Sequence, residues 1–78
     1  MSKTGNFRSV TRAHRSGWFL VEVGTIDRER HNVSHLGLII WSDRNTSGKY
    51  IANYRDGYLS RFAFEKIEDA AFFKLKWA

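Results

Sequence analysis

Three residues with metal-binding side chains follow one another at intervals of four: Asp27, His31 and His35. On an α-helix this spacing would place a carboxylate and two imidazoles on one face, a set of ligands that suits zinc. The segment has little helical pattern, however. Residues 27–30 mix charges as solvated loops do, and the residues from 36 onward have the pattern of a strand. The sequence therefore predicts neither a metal site nor a cofactor.

Catalysis would need a nucleophile, a base and an acid brought together in one cleft. The serines lack the Gly-x-Ser-x-Gly context that exposes a nucleophile on a sharp turn. The Gly48-Lys49 pair lacks the earlier glycine of a phosphate-binding loop. Most carboxylates lie where a turn, a helix start or a charged loop explains them. We predict that the protein is not an enzyme.

Basic residues interleaved with aromatic ones indicate a different chemistry, the binding of an anionic macromolecule. Arginine makes planar, bidentate contacts with carboxylates and phosphates, and exposed rings stack on unpaired bases. The predicted partner-binding residues are Arg8, Arg12, Arg15, Arg55 and Arg61. The predicted aromatic contacts are Tyr50, Tyr54 and Tyr58. Two alternatives remain open: the arginines only protect a sheet edge, and the rings only build the core.

The overall charge agrees with an anionic partner. The chain of 78 residues has 13 Lys and Arg against 8 Asp and Glu, a net charge of +5. This favours nucleic acid or an acidic protein surface, although the same charge would also serve solubility. No apolar run approaches the roughly 20 residues that span a bilayer, and residues 1–16 lack the apolar stretch of a secretory signal. We predict no membrane partner and a location in a cytoplasm or in a particle assembled there.

Hydrophobic periodicity predicts the elements that would position these residues within one small domain, residues 1–78. Residues 1–16 form either a basic arm or an edge strand, and residues 18–23 alternate as a half-buried strand does. Residues 25–34 predict a solvated loop, and the apolar run 36–41 predicts a central strand covered on both faces. Residues 49–54 and 58–62 predict a hairpin around Asp56-Gly57.

The last residues of the chain predict a strand that turns into an amphipathic helix. Phe62 and Phe64 alternate with polar or small neighbours, as in a half-buried strand. Glu68 and Asp69 then suit the first turn of a helix, and the lysines at 74 and 76 suit its last turn. Residues 73–77 also alternate, so a strand there stays open. The predicted fold is α+β, an antiparallel sheet of four or five strands with one C-terminal helix packed on a face.

The second half of the chain also contains a terminal pattern, F-x-F-x-x-x-x-D-A-x-x-F-K-L-x-W, preceded by a strand centred on tryptophan and a polar loop with glycine. The residues are Trp41, Gly48, Phe62, Phe64, Asp69, Ala70, Phe73, Lys74, Leu75 and Trp77. In these residues the segment Ile39–Ala78 resembles a group of small, mostly uncharacterised bacteriophage proteins. The resemblance covers about half the chain and implies a phage-encoded protein of the host cytoplasm or the virion. It implies no activity and no functional residue.

The two lines of reasoning lead to one expected function. We expect a non-catalytic bacteriophage protein that binds a macromolecular partner, either as a virion component or as a modulator of a host protein. The partner would offer an acidic protein surface, of the phage or of the host. The alternative is a nucleic-acid-binding module that uses the basic and aromatic residues.

Overall fold

The computed structural model describes residues 4–78 and contains four helices and three strands in that range. The elements in chain order are α1 (Val10–Arg15), β1 (Phe19–Val23), α2 (Thr25–Arg30), α3 (His35–Asn45), β2 (Tyr50–Arg55), β3 (Leu59–Phe64) and α4 (Ile67–Trp77). The chain thus has an α+β fold, and the C-terminal helix contacts β1.

The sheet is antiparallel, with β3 in the middle and β1 and β2 on its two sides. The hairpin between β2 and β3 turns at the predicted Asp56-Gly57, where both residues have positive φ (55° and 74°). Aspartate and glycine tolerate this conformation better than most residues do. The register pairs Val21 and Ala52 with Phe62, so these three side chains share one face of the sheet.

The larger core lies on that face, under α3 and α4. Its buried side chains are Val21, Val23, Leu38, Tyr50, Phe62, Phe64, Ala70, Phe73 and Trp77. The Phe73 ring of α4 lies 4.7 Å from that of Phe62 and 5.1 Å from that of Phe64, measured between ring centroids. The aromatic residues of the two predicted C-terminal elements therefore hold α4 on the sheet.

The opposite face of the sheet is covered by α1, which makes the fold three layers thick. Val10 and Ala13 are fully buried against Ile51 and Ala63. Two polar side chains fix the start of the helix: Ser9 caps it by accepting from the Arg12 amide, and Asn53 of β2 accepts from the Val10 amide at 2.7 Å. Helix α1 is thus anchored to the sheet at its first residue.

Helix α4 runs through to Trp77, so the alternative of a strand at residues 73–77 is wrong. Its Asp69 is buried and accepts hydrogen bonds from the amides of Ser47 and Gly48 at 3.1 and 2.8 Å. This carboxylate was expected to act on the helix dipole, and it also holds the loop between α3 and β2. Lys74 would have been unfavourable on the buried side of α4, but its side chain is exposed.

Three predictions of local structure are wrong. Residues 36–41 belong to helix α3, and residues 25–34 contain helix α2 rather than only loop. Residues 10–15 form α1, so the described part of segment 1–16 is not an edge strand; residues 1–3 lie outside the described range. The sheet among residues 4–78 consequently has three strands and not four or five.

The burial pattern of α3 explains the first error. A strand would have placed residues 36, 38 and 40 on one face, but Leu38 is buried whereas Leu36 and Ile40 are exposed. The buried positions, Leu38 and Ser42, are four apart, as on a helix. Ser34 begins the helix by accepting from the Gly37 amide at 3.0 Å. None of the helices in residues 4–78 has the length and apolarity needed to cross a membrane.

Candidate functional site

The α1 side of the sheet carries a strong excess of positive charge, and we call this surface the cationic face. Its basic residues include Arg8, Arg12 and Arg15 around α1, Arg55 at the end of β2, and Arg61 of β3. All five residues predicted to bind a partner therefore belong to one side of the molecule. The acids on this side are Glu22 of β1, Asp56 of the hairpin turn and, by the alternation of β3, Glu65 just after it. The cationic face thus attracts anions.

Three of the five arginines are available to a partner. Arg8, Arg12 and Arg15 are exposed, and none of them makes an ion pair with any residue in the range 4–78. Arg12 and Arg15 line an open depression of about 320 Å³ together with Phe7 and Ser16. The Phe7 ring forms one side of this depression and is itself held edge-on against Trp18 at 5.1 Å.

The other two arginines each form an ion pair within the chain, and only that of Arg61 is well shielded from solvent. The Arg61 guanidinium donates to Glu22 at 2.9 Å and to the Thr11 hydroxyl at 3.1 Å, and its side chain is only 13% exposed. It therefore helps to hold α1 on the sheet. Arg55 is exposed and forms a long ion pair with Asp56, at 3.7 Å, which is worth little in water.

The three tyrosines do not form a platform for bases. Tyr50 is buried, and its hydroxyl donates to the Ile39 carbonyl at 3.3 Å. Burial, followed by the charge and the hydrogen bond of Asp43, raises the pKa of Tyr50 to about 12. Tyr54 is half exposed but stacks on His35 at 4.7 Å. Tyr58 is exposed in the hairpin turn, so of the three predicted rings it is the most available to a partner.

A buried arginine is the main feature that sequence reasoning missed. Arg28 was assigned to a solvated loop, yet it lies inward from α2 and is only 7% exposed. Its guanidinium donates to the Val23 carbonyl, the Ser60 hydroxyl and the Tyr54 hydroxyl at 3.2, 2.8 and 3.2 Å. Within residues 4–78 no carboxylate lies within 4 Å of it. Nothing in a short charged segment distinguishes this arginine from its exposed neighbours.

The polar cluster around Arg28 extends to His35. The His35 Nδ1 atom lies 2.9 Å from the Ser60 oxygen, which already accepts from Arg28. Burial and, second, the charge of Arg28 lower the pKa of His35. A neutral imidazole whose Nδ1 accepts a hydrogen bond from the Ser60 hydroxyl fits this geometry best. Ser60 itself is fully buried and hence inaccessible to a substrate, so the pair has a structural role.

This cluster makes stability depend on pH. The folded pKa of His35 lies below its ordinary value of 6.5, so the unfolded chain binds a proton more readily and stability falls as the pH drops below 6.5. Urea unfolding at pH 7.5 and pH 5.5 should show a larger loss of stability for the wild-type protein than for a His35→Gln variant. Equal losses for the two proteins would refute a role for His35.

The suggested metal ligands do not come together. Asp27 forms an ion pair with Arg30 at 2.8 Å, His31 ends α2 with its ring edge-on to Trp77, and His35 belongs to the Arg28 cluster. No group of three or more His, Cys, Asp or Glu side chains that could hold a metal occurs in residues 4–78. Among the described residues, Asp27, His31 and His35 therefore do not form a metal site.

Comparison with known proteins adds no assignment. No protein-family model, curated protein or solved structure matches this chain.

Proposed function

We propose that the protein is non-catalytic and binds the acidic surface of a macromolecular partner through its cationic face, with Arg8, Arg12 and Arg15 as the principal contacts. One observation carries the proposal: these three arginines are exposed and make no ion pair within residues 4–78. Two of them, Arg12 and Arg15, also lie on an ordered helix, because α1 is capped by Ser9, tied to Asn53 and anchored by Val10. Binding therefore loses less conformational entropy than a disordered arm would lose.

The kind of cation favours a protein partner with carboxylates. The five residues predicted to bind a partner are all arginines, although exposed His14 also belongs to α1, and the planar fork of arginine matches a carboxylate in two parallel hydrogen bonds. Arginine is also enriched among the residues that dominate binding energy at protein interfaces. The resemblance of the C-terminal half to bacteriophage proteins supports a partner in the virion or in the infected host cell.

The triple variant Arg8→Glu, Arg12→Glu and Arg15→Glu tests this proposal. The tagged wild-type protein and the variant would be used to capture partners from infected cells, with purified virions analysed in parallel. We expect the variant to fail to capture the principal partner of the wild-type protein. Its affinity for that partner should be at least tenfold weaker, since several charged contacts of about 1 kcal/mol or more are reversed. Circular dichroism would check that the variant is folded.

A matched control separates the position of the charges from their number. Arg30→Glu, Lys66→Glu and Lys74→Glu make the same change of net charge at exposed residues outside the cationic face. This control should keep the partner. If the control and the triple variant lose it equally, net charge alone explains binding; if neither loses it, the cationic face is not the site.

Nucleic acid is the second candidate, favoured by the depression beside α1. There the Phe7 ring lies next to Arg12 and Arg15, which is the combination that single-stranded nucleic acid uses for stacking and phosphate contacts. The burial of Tyr50 removes one of the rings on which this alternative was based. A gel shift with single-stranded DNA at increasing salt would identify it by a steep loss of affinity.

A further inference from the structure

Strand β1 forms one edge of the sheet, and the hydrogen-bond pattern shows which of its residues face outward. The Glu65 amide donates to the Lys49 carbonyl at 3.0 Å. Bonded and non-bonded pairs alternate in an antiparallel ladder, so the odd-numbered residues of β3 bond toward β2 and the even-numbered ones toward β1. Leu20 and Glu22 pair with odd-numbered residues of β3. Their N–H and C=O groups therefore point outward from the edge.

These outward groups have no partner in the part of the chain that the structure describes. No loop, helix cap or side chain among residues 4–78 bonds to the N–H or C=O group of Leu20 or Glu22. Both ends of the open stretch are closed, because the Trp18 amide donates to the Ala13 carbonyl at 3.0 Å and the Gly24 carbonyl accepts from helix α2 at 3.1 Å. Strand β1 thus presents two donors and two acceptors to solvent.

The other edge of the sheet is covered by the chain itself. On β2, the Tyr50 carbonyl accepts from the Gly5 amide at 2.9 Å, and Thr4 forms a parallel bridge with Tyr50. The Asn53 side-chain amide donates to the Ala52 carbonyl at 3.1 Å. The fold therefore protects one edge and leaves the other accessible, and an accessible edge is a template for a further strand.

The side chains of β1 do not close its edge. A charged side chain commonly protects an edge strand, but the Glu22 carboxylate accepts from Arg61 at 2.9 Å, so much of its charge is already neutralised. Phe19, whose side chain lies on the α4 side of the sheet, is 38% exposed. An added strand would therefore meet an ion pair on one side of the sheet and an apolar ring on the other.

Charge favours a segment of an acidic partner over a second copy of the chain. Two copies joined through β1 as antiparallel strands would place equivalent sides of their sheets together. Their cationic faces would then adjoin, with a net charge of +5 on each copy. An acidic segment avoids this repulsion. Arg15 belongs to the last turn of α1, which is tied to the start of β1 by the bond between Ala13 and Trp18, so it suits a carboxylate at the end of such a segment.

We propose that β1 binds an extended segment of the acidic partner as a fourth, antiparallel strand, with alternate side chains on the cationic face. The acidic character of the segment rests on the function proposed above, whereas the pairing rests on the backbone of Leu20 and Glu22. Side chains opposite these two residues are neutral, because a carboxylate there would meet Glu22, and the acidic ones lie at the ends. In strand addition, main-chain bonds supply affinity and alternate side chains supply specificity.

A labelled synthetic peptide tests the pairing. The probe has glutamate at positions 1 and 7, valine at positions 2, 4 and 6, and threonine at positions 3 and 5. When the threonines lie opposite Leu20 and Glu22 in an antiparallel pair, the threonine amides face β1 and the valine amides face away.

N-methylation separates backbone pairing from attraction by charge. Methylation of both threonine amides should weaken binding about tenfold or more in fluorescence anisotropy, because it removes the two donors that face β1. Methylation of two valine amides should change the affinity less than about threefold. The two methylated peptides have the same charge and composition, so attraction to the cationic face affects them equally.

Hydrogen exchange and one substitution locate the pairing on the protein. The unmethylated peptide should slow exchange of the Leu20 and Glu22 amides about tenfold or more, while Val21, which already bonds to β3, should change little. Leu20→Pro removes an outward N–H without breaking the ladder to β3, so it should weaken the peptide about tenfold. Leu20→Ala is the matched control, since it also shortens the side chain but keeps the N–H. Circular dichroism would check that both variants are folded.

Three results would overturn the proposal. The first is no binding of the unmethylated peptide, and the second is an equal effect of the two N-methylations. The third is a wild-type dimer in sedimentation that Leu20→Pro dissociates, because a second copy would then occupy the edge. The triple arginine variant tests a separate point: if it keeps the partner captured from cells, the cationic face is refuted, whereas the comparison of methylated peptides still decides whether β1 pairs with a strand.

Discussion

Replacing Trp77 with alanine is expected to lower the free energy of unfolding by about 3–5 kcal/mol, as for other losses of large buried aromatic side chains. Trp77 is only 9% exposed and belongs to the main core, with Trp41 at 5.8 Å and His31 at 5.4 Å. A chain of this length has a stability of roughly 4–12 kcal/mol. The substitution should therefore remove a large part of this stability and would unfold a chain at the lower end of the range.

Thermal or urea unfolding followed by circular dichroism measures this effect, and two variants serve as controls. Leu75→Ala alters the same turn of α4 at a position that is 89% exposed, so it should cost little. Trp77→Phe keeps most of the ring and removes an Nε1 group that makes no hydrogen bond within residues 4–78. An unchanged melting temperature for Trp77→Ala would show that α4 is not held by this ring.

Replacing Asp69 with alanine should cost about 2–3 kcal/mol, because hydrogen bonds to a charged group and the penalty for buried unpaired amides are both of this size. The carboxylate accepts from the amides of Ser47 and Gly48 and from the Ser47 hydroxyl at 3.4 Å. Without it, the loop before β2 loses its attachment to α4.

Glu68→Ala is the matched control for Asp69→Ala. Both acids are in the first turn of α4, but Glu68 is exposed, so its loss removes only a dipole interaction of about 0.3–1 kcal/mol. Urea unfolding of the two variants at pH 7.5 compares them directly. Equal losses would mean that Asp69 acts through the helix dipole alone and not through the loop.

The parts of the fold that could be predicted are those with two independent signals. Helix α4 combines acids in its first turn and lysines in its last with an apolar face, and the structure confirms it. The hairpin combines alternating strands with Asp56-Gly57, and it is also confirmed. Strand β1 has clear alternation and lies at residues 19–23, within the predicted segment.

The parts that could not be predicted had one ambiguous signal. An apolar run such as residues 36–41 fits a buried strand and a buried helix equally well, and only the period of burial, with Leu38 inside and Ile40 outside, distinguishes them. Helices α1 and α2 have six residues each. Helices so short depend on tertiary contacts, such as those of Val10 and Arg28, more than on local preference.

The candidate site, like the fold, has features that the sequence could predict and features that it could not. The absence of acids in the segment around Arg8, Arg12 and Arg15 was enough to predict a basic surface. Sequence could not reveal that Arg61 is engaged with Glu22, nor that Tyr50 is buried, because both depend on the register of the sheet. The buried Arg28 cluster depends on contacts among α2, α3 and all three strands and leaves no local pattern.

The most direct test of the central claim, that the cationic face holds the partner, is an NMR titration of the labelled protein with the captured partner. The account predicts that the largest amide shift changes fall in residues 7–16, with smaller ones near Arg55, and that higher salt reduces them. Shift changes confined to α3 and α4, with residues 7–16 unaffected, would contradict it.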